Sequence, residues 1–366
     1  MTLAFSEYLR ALFAPPRYLA STFAGIDLST SGVKAVRLAE GTHGITLEKY
    51  VEVRLPAGAF TDGEIFDRTA VVEALVTAAE AVNISAANIA LPESKSYLFE
   101  TAVAGNDSSE WRLAIEQRLD EFVPLPPAET SFDFVDVGRD EHGDALVTGI
   151  GFAHRIIDDT LMTFGQAGID VRALEGETFA SSRALLPYGD ESTVLIIDIG
   201  KTTTKVSVVA KCIPRFATTI HIGGHAFTLA VQKHFGVTEV EAHKVKAERG
   251  IVAEPGNEEY LAAMLMTASA IRDEIFRHFK YWQERSSPGG THEPITRAVL
   301  AGGNASIQGL SGYLESVLQI PVTSGDVFIN LASLDTWVPR LDYTESLAYA
   351  TAIGLALRDR VASYAT

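Results

Sequence analysis

The sequence predicts a duplicated α/β fold, two similar halves facing each other, and three observations carry that reading. Val194–Val209, VLIIDIGKTTTKVSVV, is an apolar run that ends in Asp198, turns through Gly200 and three threonines, and resumes with alternating Val206 and Val208. Phe23–Leu38, FAGIDLSTSGVKAVRL, repeats the plan with Asp27, a Ser/Thr/Gly turn, then Val33 and Val36. In each, a lysine, Lys34 or Lys205, falls seven residues after the aspartate. A buried strand, a tight polar turn and a second strand read this way. Gly200 lets the backbone approach a ligand, and Lys201–Lys205 offer N–H groups, hydroxyls and two ammonium groups. Two such phosphate-type hairpins suggest a nucleotide between the halves. Two unrelated hairpins with structural aspartates would produce the same stretches, so the rest of the chain has to decide.

Composition sets the outer bounds. At 366 residues and 39.4 kDa the chain suits two or more domains. Its 47% hydrophobic and 21% charged residues are globular composition. A net charge of −17 argues against nucleic acid, and against broad adsorption to anionic membranes, since both need a cationic footprint. A lone cysteine, Cys212, makes no internal disulfide and fits a reducing cytoplasm. No apolar run reaches about 20 residues, so no transmembrane insertion is expected. Neither is a secretory signal, for the N-terminus lacks a basic region and a small-residue cleavage site.

Residues 2–13 put Phe5, Tyr8, Leu9 and Leu12 on one helical face, and Pro15 and Pro16 stop that helix. This segment, 1–22, either docks on its own domain or touches a partner; its low positive charge predicts weak membrane affinity. After the first hairpin come a strand at Ile45–Leu55, a helix at Asp67–Val82 and a strand at Asn88–Pro92. Strand, strand, strand, helix, strand is the core of a ribonuclease-H-like unit.

An insert then interrupts it. Ser94–Val103 reads as a strand, Ser108 or Ser109 caps a helix running to Phe122, and prolines end that helix in FVPLPPAE. Strands at Ser131–Val137 and Ala145–Phe152 follow, joined by the charged turn GRDEHGD. A strand–helix–strand–strand subdomain of this size offers an edge or groove to a partner. Ile156–Ala167 is a helix, and Asp170–Leu186 returns to the first half.

The second half repeats the plan, with a strand at Pro214–His221, a helix from Gly223–Gly224 to Phe235, and mostly helix from Thr238 to Ser287. Ala298–Leu300 is a strand leading into Gly302–Gly303, with a helix starting near Ser306. The final helix, Thr344–Arg358, has a small-residue face built for close packing. The expected division is 1–22; 23–92 with 156–188; the insert 93–155; and 189–366, with a helical subdomain at about 225–290.

At the first two turns, backbone amides and hydroxyls can cradle phosphate oxygens. Asp27 and Asp198 can hold Mg²⁺ through waters, and the bare Gly302–Gly303 turn leaves room for a base or ribose.

At this point the motifs resemble a family. GIDLSTSGVK, DIGKTTTK, AHKVKAERG and LAGGNASIQGL are similar to the two phosphate, the ribose/adenine and the adenosine motifs of actin-like ATPases. ALPESKSYLFET, LDEFVPLPPAETSFDF, LEGETFASSRAL and IHIGGHAFTLAV resemble the PilM family, actin-like proteins of type IV pilus assembly. The likeness runs from about residue 23 to residue 360. It implies an actin-like fold that binds ATP and Mg²⁺ between its halves. It also implies a cytoplasmic scaffold, peripheral to the inner membrane, serving pilus biogenesis and twitching motility. The partners implied are the short N-terminal peptide of a membrane-anchored PilN-like protein, held near the insert, and the pilus assembly platform and motor proteins.

Carried over by position, Asp27, Ser29, Thr30, Ser31 and Lys34 form the first phosphate site, and Asp198, Gly200, Lys201, Thr202 and Thr203 the second. Gly223, Gly224 and Thr228 line the second half's side. Lys246 reaches the ribose or adenine, and Gly302, Gly303 and Asn304 the adenosine. Glu177 takes the place where related ATPases orient a water or magnesium. Four positions depart from the pattern: Ser29 and Asn304 stand for glycines, His243 for an acid, and His225 for a small polar residue. They put turnover in doubt more than binding, so hydrolysis is expected to be slow or absent. The competing readings are an FtsA-like division tether, which needs a C-terminal amphipathic anchor, and a type II secretion platform component, which needs a transmembrane segment.

Overall fold

The structure is a computed structural model describing residues 24–41, 44–105, 108–140, 142–287 and 292–358. The expected N-terminal amphipathic segment, residue 141 of the charged turn and the loop 288–291 lie outside these residues.

The first half opens with β1 (Ala24–Ser29), β2 (Gly32–Gly41) and β3 (Gly44–Arg54), a meander in which Ile26, Val33, Ala35 and Val36 lose all contact with solvent. Its first turn needs glycine: Gly32 sits at φ +148°, and a Cβ there would overlap the Val53 carbonyl. Helix α1 (Arg68–Val82) starts where the Asp67 carboxylate accepts the Ala70 N–H, and ends at Asn83 in the left-handed region. It lays Val71, Leu75, Ala78 and Val82 on the sheet, and β4 (Ala86–Leu91) joins β1 in parallel.

The insert follows as β5 (Tyr97–Val103), α2 (Ser108–Gln117), β6 (Thr130–Arg139) and β7 (Ala145–Ala153). The last-made strand, β7, lies between β5 and β6, and Phe99, Trp111, Ile115 and Leu119 form the insert's own core. The expected single helix to Phe122 breaks at Arg118, which leaves helical dihedrals (φ −118°, ψ 15°) before one further turn, Leu119–Phe122. Helix α3 (His154–Gln166), β8 (Asp170–Gly176) and α4 (Glu177–Leu185) complete the half. The first sheet runs β8-β4-β1-β2-β3.

The second half supplies β9 (Thr193–Ile199), β10 (Thr204–Ala210), β11 (Ile213–Ile220), α5 (Gly224–Phe235), α6 (Glu239–Arg249), α7 (Glu258–Gln283), β12 (Arg297–Ala301), α8 (Leu310–Leu318) and β13 (Val322–Ser324). Its sheet, β13-β12-β9-β10-β11, has the strand order of the first. The expected duplication of a ribonuclease-H-like unit is therefore present. One helix start differs from expectation: the helix placed near Ser306 begins at Leu310, after an irregular turn that ends in Gly309 at φ +85°. The final helix starts at Tyr343, within one residue of expectation, where the Asp342 carboxylate accepts the Thr344 N–H. It tightens at Leu347–Tyr349, where the Leu347 carbonyl accepts the Gly302 N–H at 3.0 Å, and resumes as α9 (Ala350–Leu357).

Although it comes from the second half's sequence, α9 also packs on the first sheet. Asn88 Nδ2 donates to the Leu355 carbonyl at 3.0 Å, and Arg183 to that of Gly354 at 2.9 Å. Ala352, Ile353 and Ala356 meanwhile belong to the second half's core. Helices α4 and α9 thus cross between the sheets, and at the crossing a Cβ on Gly354 would overlap the Ala180 carbonyl. Among the described residues no helix is long and apolar enough to cross a membrane.

The crossing gives a test of the packing. Gly354→Ala forces backbone apart in a close-packed region and should cost about 1–3 kcal/mol, read as a lower urea midpoint. An unchanged midpoint would contradict the contact.

Candidate functional site

The two hairpins face each other across a cleft of about 1190 Å³. Within each, the aspartate stands directly opposite its lysine, Asp27 to Lys34 and Asp198 to Lys205, so the seven-residue spacing is a strand register. The first turn holds two residues, between the Ser29–Gly32 pair, and the second holds four, between Ile199 and Thr204. The tips touch where the Thr30 and Thr202 hydroxyls lie 3.1 Å apart.

The floor of the cleft is charged and buried. Asp27 is 7% exposed, and its Oδ1 has no hydrogen-bond partner. Burial, reinforced by the nearby Glu177 charge, pushes its pKa from 3.8 to about 6. Burial raises Asp198 as well. Lys205 is desolvated too, but Glu177, Asp198 and Asp27 together hold it above its ordinary range. Its ammonium lies 2.6 Å from Glu177 Oε2, which also accepts the Glu93 N–H at 3.1 Å. Lys34 donates to Ser31 Oγ at 2.8 Å and lies 3.4 Å from Glu52.

The opposite wall is built around one desolvated lysine. Burial pushes the Lys246 ammonium down to about 8, and it donates to Asn304 Oδ1 (2.8 Å), the Gly224 carbonyl (3.2 Å) and Thr228 Oγ1 (3.2 Å). Asn304 Nδ2 in turn donates to the Gly200 carbonyl at 3.0 Å. Gly302, at φ +87°, is where a Cβ would overlap Asp198 Oδ1, whereas Gly303 faces open space up to Ala348 Cβ at 3.7 Å.

Of the residues singled out from sequence, Asp27, Ser29, Thr30, Ser31, Lys34, Glu177, Asp198, Gly200, Lys201, Thr203, Lys246, Gly302, Gly303 and Asn304 line the cleft. Gly223, Gly224 and Thr228 do not; they stand behind it. Gly224 N–H is spent on the Gly200 carbonyl at 2.9 Å, a Cβ on Gly224 would overlap Asn304, and Thr228 takes Lys246. Thr202 likewise makes its one side-chain contact with Thr30 rather than lining the cavity. At the departures, Ser29 Oγ meets Ser31 Oγ at 2.9 Å and donates to the Gly32 carbonyl at 3.2 Å, closing the tight turn that a glycine would have left open. His225 Nδ1 lies 3.7 Å from Glu239. His243 sits at the rim, where burial and the Lys246 charge keep its pKa low.

Sequence reasoning passed over Glu93, 6% exposed, whose only signal was an acid directly after the apolar strand ending in Pro92. Among the described residues no group of three His, Cys, Asp or Glu is placed to hold a metal. Magnesium shared with phosphates needs only one or two carboxylates and keeps its waters, and the unpartnered Asp27 Oδ1 fits that role.

A family model described as type IV pilus assembly protein PilM matches residues 25–360. Among solved structures, the chain is similar to the PilM-PilN type IV pilus biogenesis complex, with a TM-score of 0.75 at 18% identity over 92% of this chain and 97% of that one. It is also similar to MreB 5 of Spiroplasma citri bound to AMPPNP (TM-score 0.54, 15% identity, 95% and 98% covered). A third similar structure is the ethanolamine utilization protein EutJ from Carboxydothermus hydrogenoformans (0.50, 14%, 94% and 90%). At these identities the likenesses show the actin-like fold.

The buried Asp27 has a stability consequence. An acid whose folded pKa is raised from 3.8 to about 6 stabilises the fold only at low pH; that contribution is lost as pH rises through about 6. Above pH 6 the ligand-free protein therefore carries the cost of an ionised Asp27. Asp27→Asn should raise its stability at pH 7.5 by about 1–3 kcal/mol, with little gain at pH 4. Equal effects at both pH values in chemical denaturation would refute the charge burial.

Proposed function

The chain belongs to the PilM family of type IV pilus assembly proteins, and we propose that it acts there as an ATP-binding scaffold that captures a membrane-anchored partner by a short peptide. The observation that carries ATP binding is the pair of facing hairpins, Asp–turn–Lys against Asp–turn–Lys, with an unpartnered buried carboxylate oxygen between them. The turns at Thr30–Ser31 and Gly200–Thr203 would bind phosphates through N–H groups and hydroxyls. Asp27 and Asp198 would hold Mg²⁺ through waters, and the ion supplies charge that neutralises the phosphates. Lys34 and Lys205 balance the same charge from the strands. Asn304, braced by Lys246, sets the wall against which Gly302–Gly303 leave room for the nucleoside.

Hydrolysis is slow in this reading. Glu177 is the residue in position to orient a water, and its carboxylate already holds Lys205 and the Glu93 N–H. A base engaged in this way forfeits much of the 10²–10⁴-fold available from proton transfer.

For the partner, a second cavity of about 240 Å³ lies at the base of the insert, lined by Leu28, Ile65, Ile156 and Phe164, with Glu64, Arg155 and Asp159 among its polar residues. A slot that mixes apolar and charged groups suits a short peptide that alternates apolar and polar side chains. Such capture would hold the protein at the cytoplasmic face of the inner membrane, among platform and motor proteins.

Asp198→Ala should weaken Mg-ATP binding about tenfold to hundredfold, as expected for a charge-assisted contact. Titration calorimetry showing wild-type affinity in both Asp198→Ala and Asp27→Ala would sink the nucleotide assignment. Phosphate release should stay well below about 1 s⁻¹, the low end for working enzymes. Fractionation of cells separates peptide capture from direct membrane contact. The protein should leave the membrane fraction when the membrane-anchored partner is absent and when Ile65→Asp puts a charge on the half-buried lining of the pocket. Retention without the partner, relieved only by deleting residues 1–20, would overturn peptide capture.

A further inference from the structure

The cleft and the smaller pocket share a wall: Phe60, Gly63 and Pro92 line both. That wall is made of two turns packed on each other. One is the tip of a short hairpin, Phe60–Thr61 against Glu64–Ile65, whose Asp62 and Gly63 both take positive φ, 48° and 75°. Asp-Gly in that geometry is the tight turn that joins two strands with little freedom. The other is the single helical turn Glu93–Lys95 between β4 and β5. A Cβ on Gly63 would sit 2.8 Å from Ser94 Oγ, 2.9 Å from Pro92 Cβ and 3.0 Å from Lys95 Cγ, so neither turn shifts alone.

Each side of this wall is tied by charge to one cavity. Towards the cleft, the Glu93 N–H donates to Glu177 Oε2 at 3.1 Å, while the Thr178 N–H (3.1 Å) and hydroxyl (2.6 Å) donate back to Glu93 Oε2. Ser96 Oγ donates to Glu93 Oε1 at 2.6 Å. This exchange joins the chain where it leaves the first half for the insert to the chain where it has returned. Glu177 is itself paired with Lys205 of the second half. Towards the pocket, Lys95 Nζ lies 3.4 Å from Asp62 and 3.1 Å from Glu64, and Glu64 Oε1 accepts Arg155 Nη2 at 3.1 Å.

We propose that the Glu93–Lys95 turn couples the two cavities: nucleotide in the cleft acts on Glu177, Glu93 carries the displacement to the turn, and Lys95 passes it to the hairpin that bounds the pocket. The affinity of a short peptide for the pocket then depends on the nucleotide, and by reciprocity the nucleotide's affinity depends on the peptide by the same factor. Glu93 is a positioning residue in this scheme, acting through Glu177. The inference rests on the nucleotide-binding reading above and goes beyond it in naming the residues of the link.

The test uses the full chain with Mg-ATP as the only ligand and reads two quantities. Calorimetry measures binding, and amide hydrogen exchange follows residues 60–66, which belong to the pocket hairpin and its exit. In the wild-type protein Mg-ATP should change exchange in 60–66 by about fivefold or more, the low end of ordinary coupling. Lys95→Met should bind Mg-ATP with wild-type affinity and lose that change, and Lys95→Arg should restore it. Glu64→Gln, cutting the same link from the hairpin side, should also lose it. A wild-type response in Lys95→Met and Glu64→Gln would overturn the proposal, as would a wild-type protein that binds Mg-ATP with no response in 60–66. Absence of Mg-ATP binding to the wild type would instead overturn the nucleotide reading, and the coupling with it.

Discussion

The structure depends on a set of charges buried between its halves. Among the described residues, the charges set against Asp27, Asp198 and Glu177 are those of Lys34 and Lys205, and Asp27 keeps an oxygen with no hydrogen-bond partner. An ionised group left uncompensated in a protein interior is among the costliest features a fold can carry. The register of each hairpin limits that cost by placing a lysine straight across from the aspartate. The residual imbalance is negative and sits where two turns present N–H groups and hydroxyls. Buried carboxylates beside phosphate-type N–H and hydroxyl donors are what the proposed Mg-nucleotide reading rests on.

Holding two such hairpins face to face is the work of the crossing between α4 and α9. Gly354 brings backbone against the Ala180 carbonyl, and Asn88 and Arg183 take carbonyls of α9 as acceptors. Both helices contribute side chains to the second half's core while lying on the first sheet. The halves are thus joined at their base and meet again at the hairpin tips, through Thr30 and Thr202, and through ion pairs of Glu177 with Lys205 and of Glu100 with Arg215. A contact between two exposed hydroxyls is worth little. Opening of the cleft therefore meets little resistance at the tips and has to work against the buried ion pairs and the crossing.

The parts legible in the sequence were local ones. The aspartate-to-lysine spacing is a hairpin register set by neighbouring residues, and the strand order followed from the repeated pattern of apolar runs. What escaped were contacts between distant segments. The Glu93–Glu177 bond joins residues 84 apart, the Lys246–Asn304 bond residues 58 apart, and no periodicity encodes either. For the same reason Gly223, Gly224 and Thr228, which the motif placed against the ligand, turned out to support the wall from behind. The tight turn inside the final helix was hidden too. Leu347–Tyr349 has nothing against helix in its composition, and only the Gly302 N–H, far away in sequence, takes the Leu347 carbonyl.

Two of the four departures from the family pattern, Asn304 and Ser29, take part in the same bracing. Asn304, in the place of a glycine, is gripped on one side by Lys246 and on the other by the Gly200 carbonyl, so it fixes the second phosphate turn to the nucleoside wall. Lys246 donates to three neutral acceptors and is desolvated, an arrangement that orients a side chain and leaves it poorly suited to follow a moving charge. Glu177 Oε2 is engaged by both Lys205 and the Glu93 N–H. Ser29 closes its turn by bonding within it. Ser29 and Asn304 thus each add a fixed contact at a point where rapid turnover would need a group free to shift between ground and transition state. Under the proposed nucleotide reading, such a cleft would hold its ligand more readily than consume it.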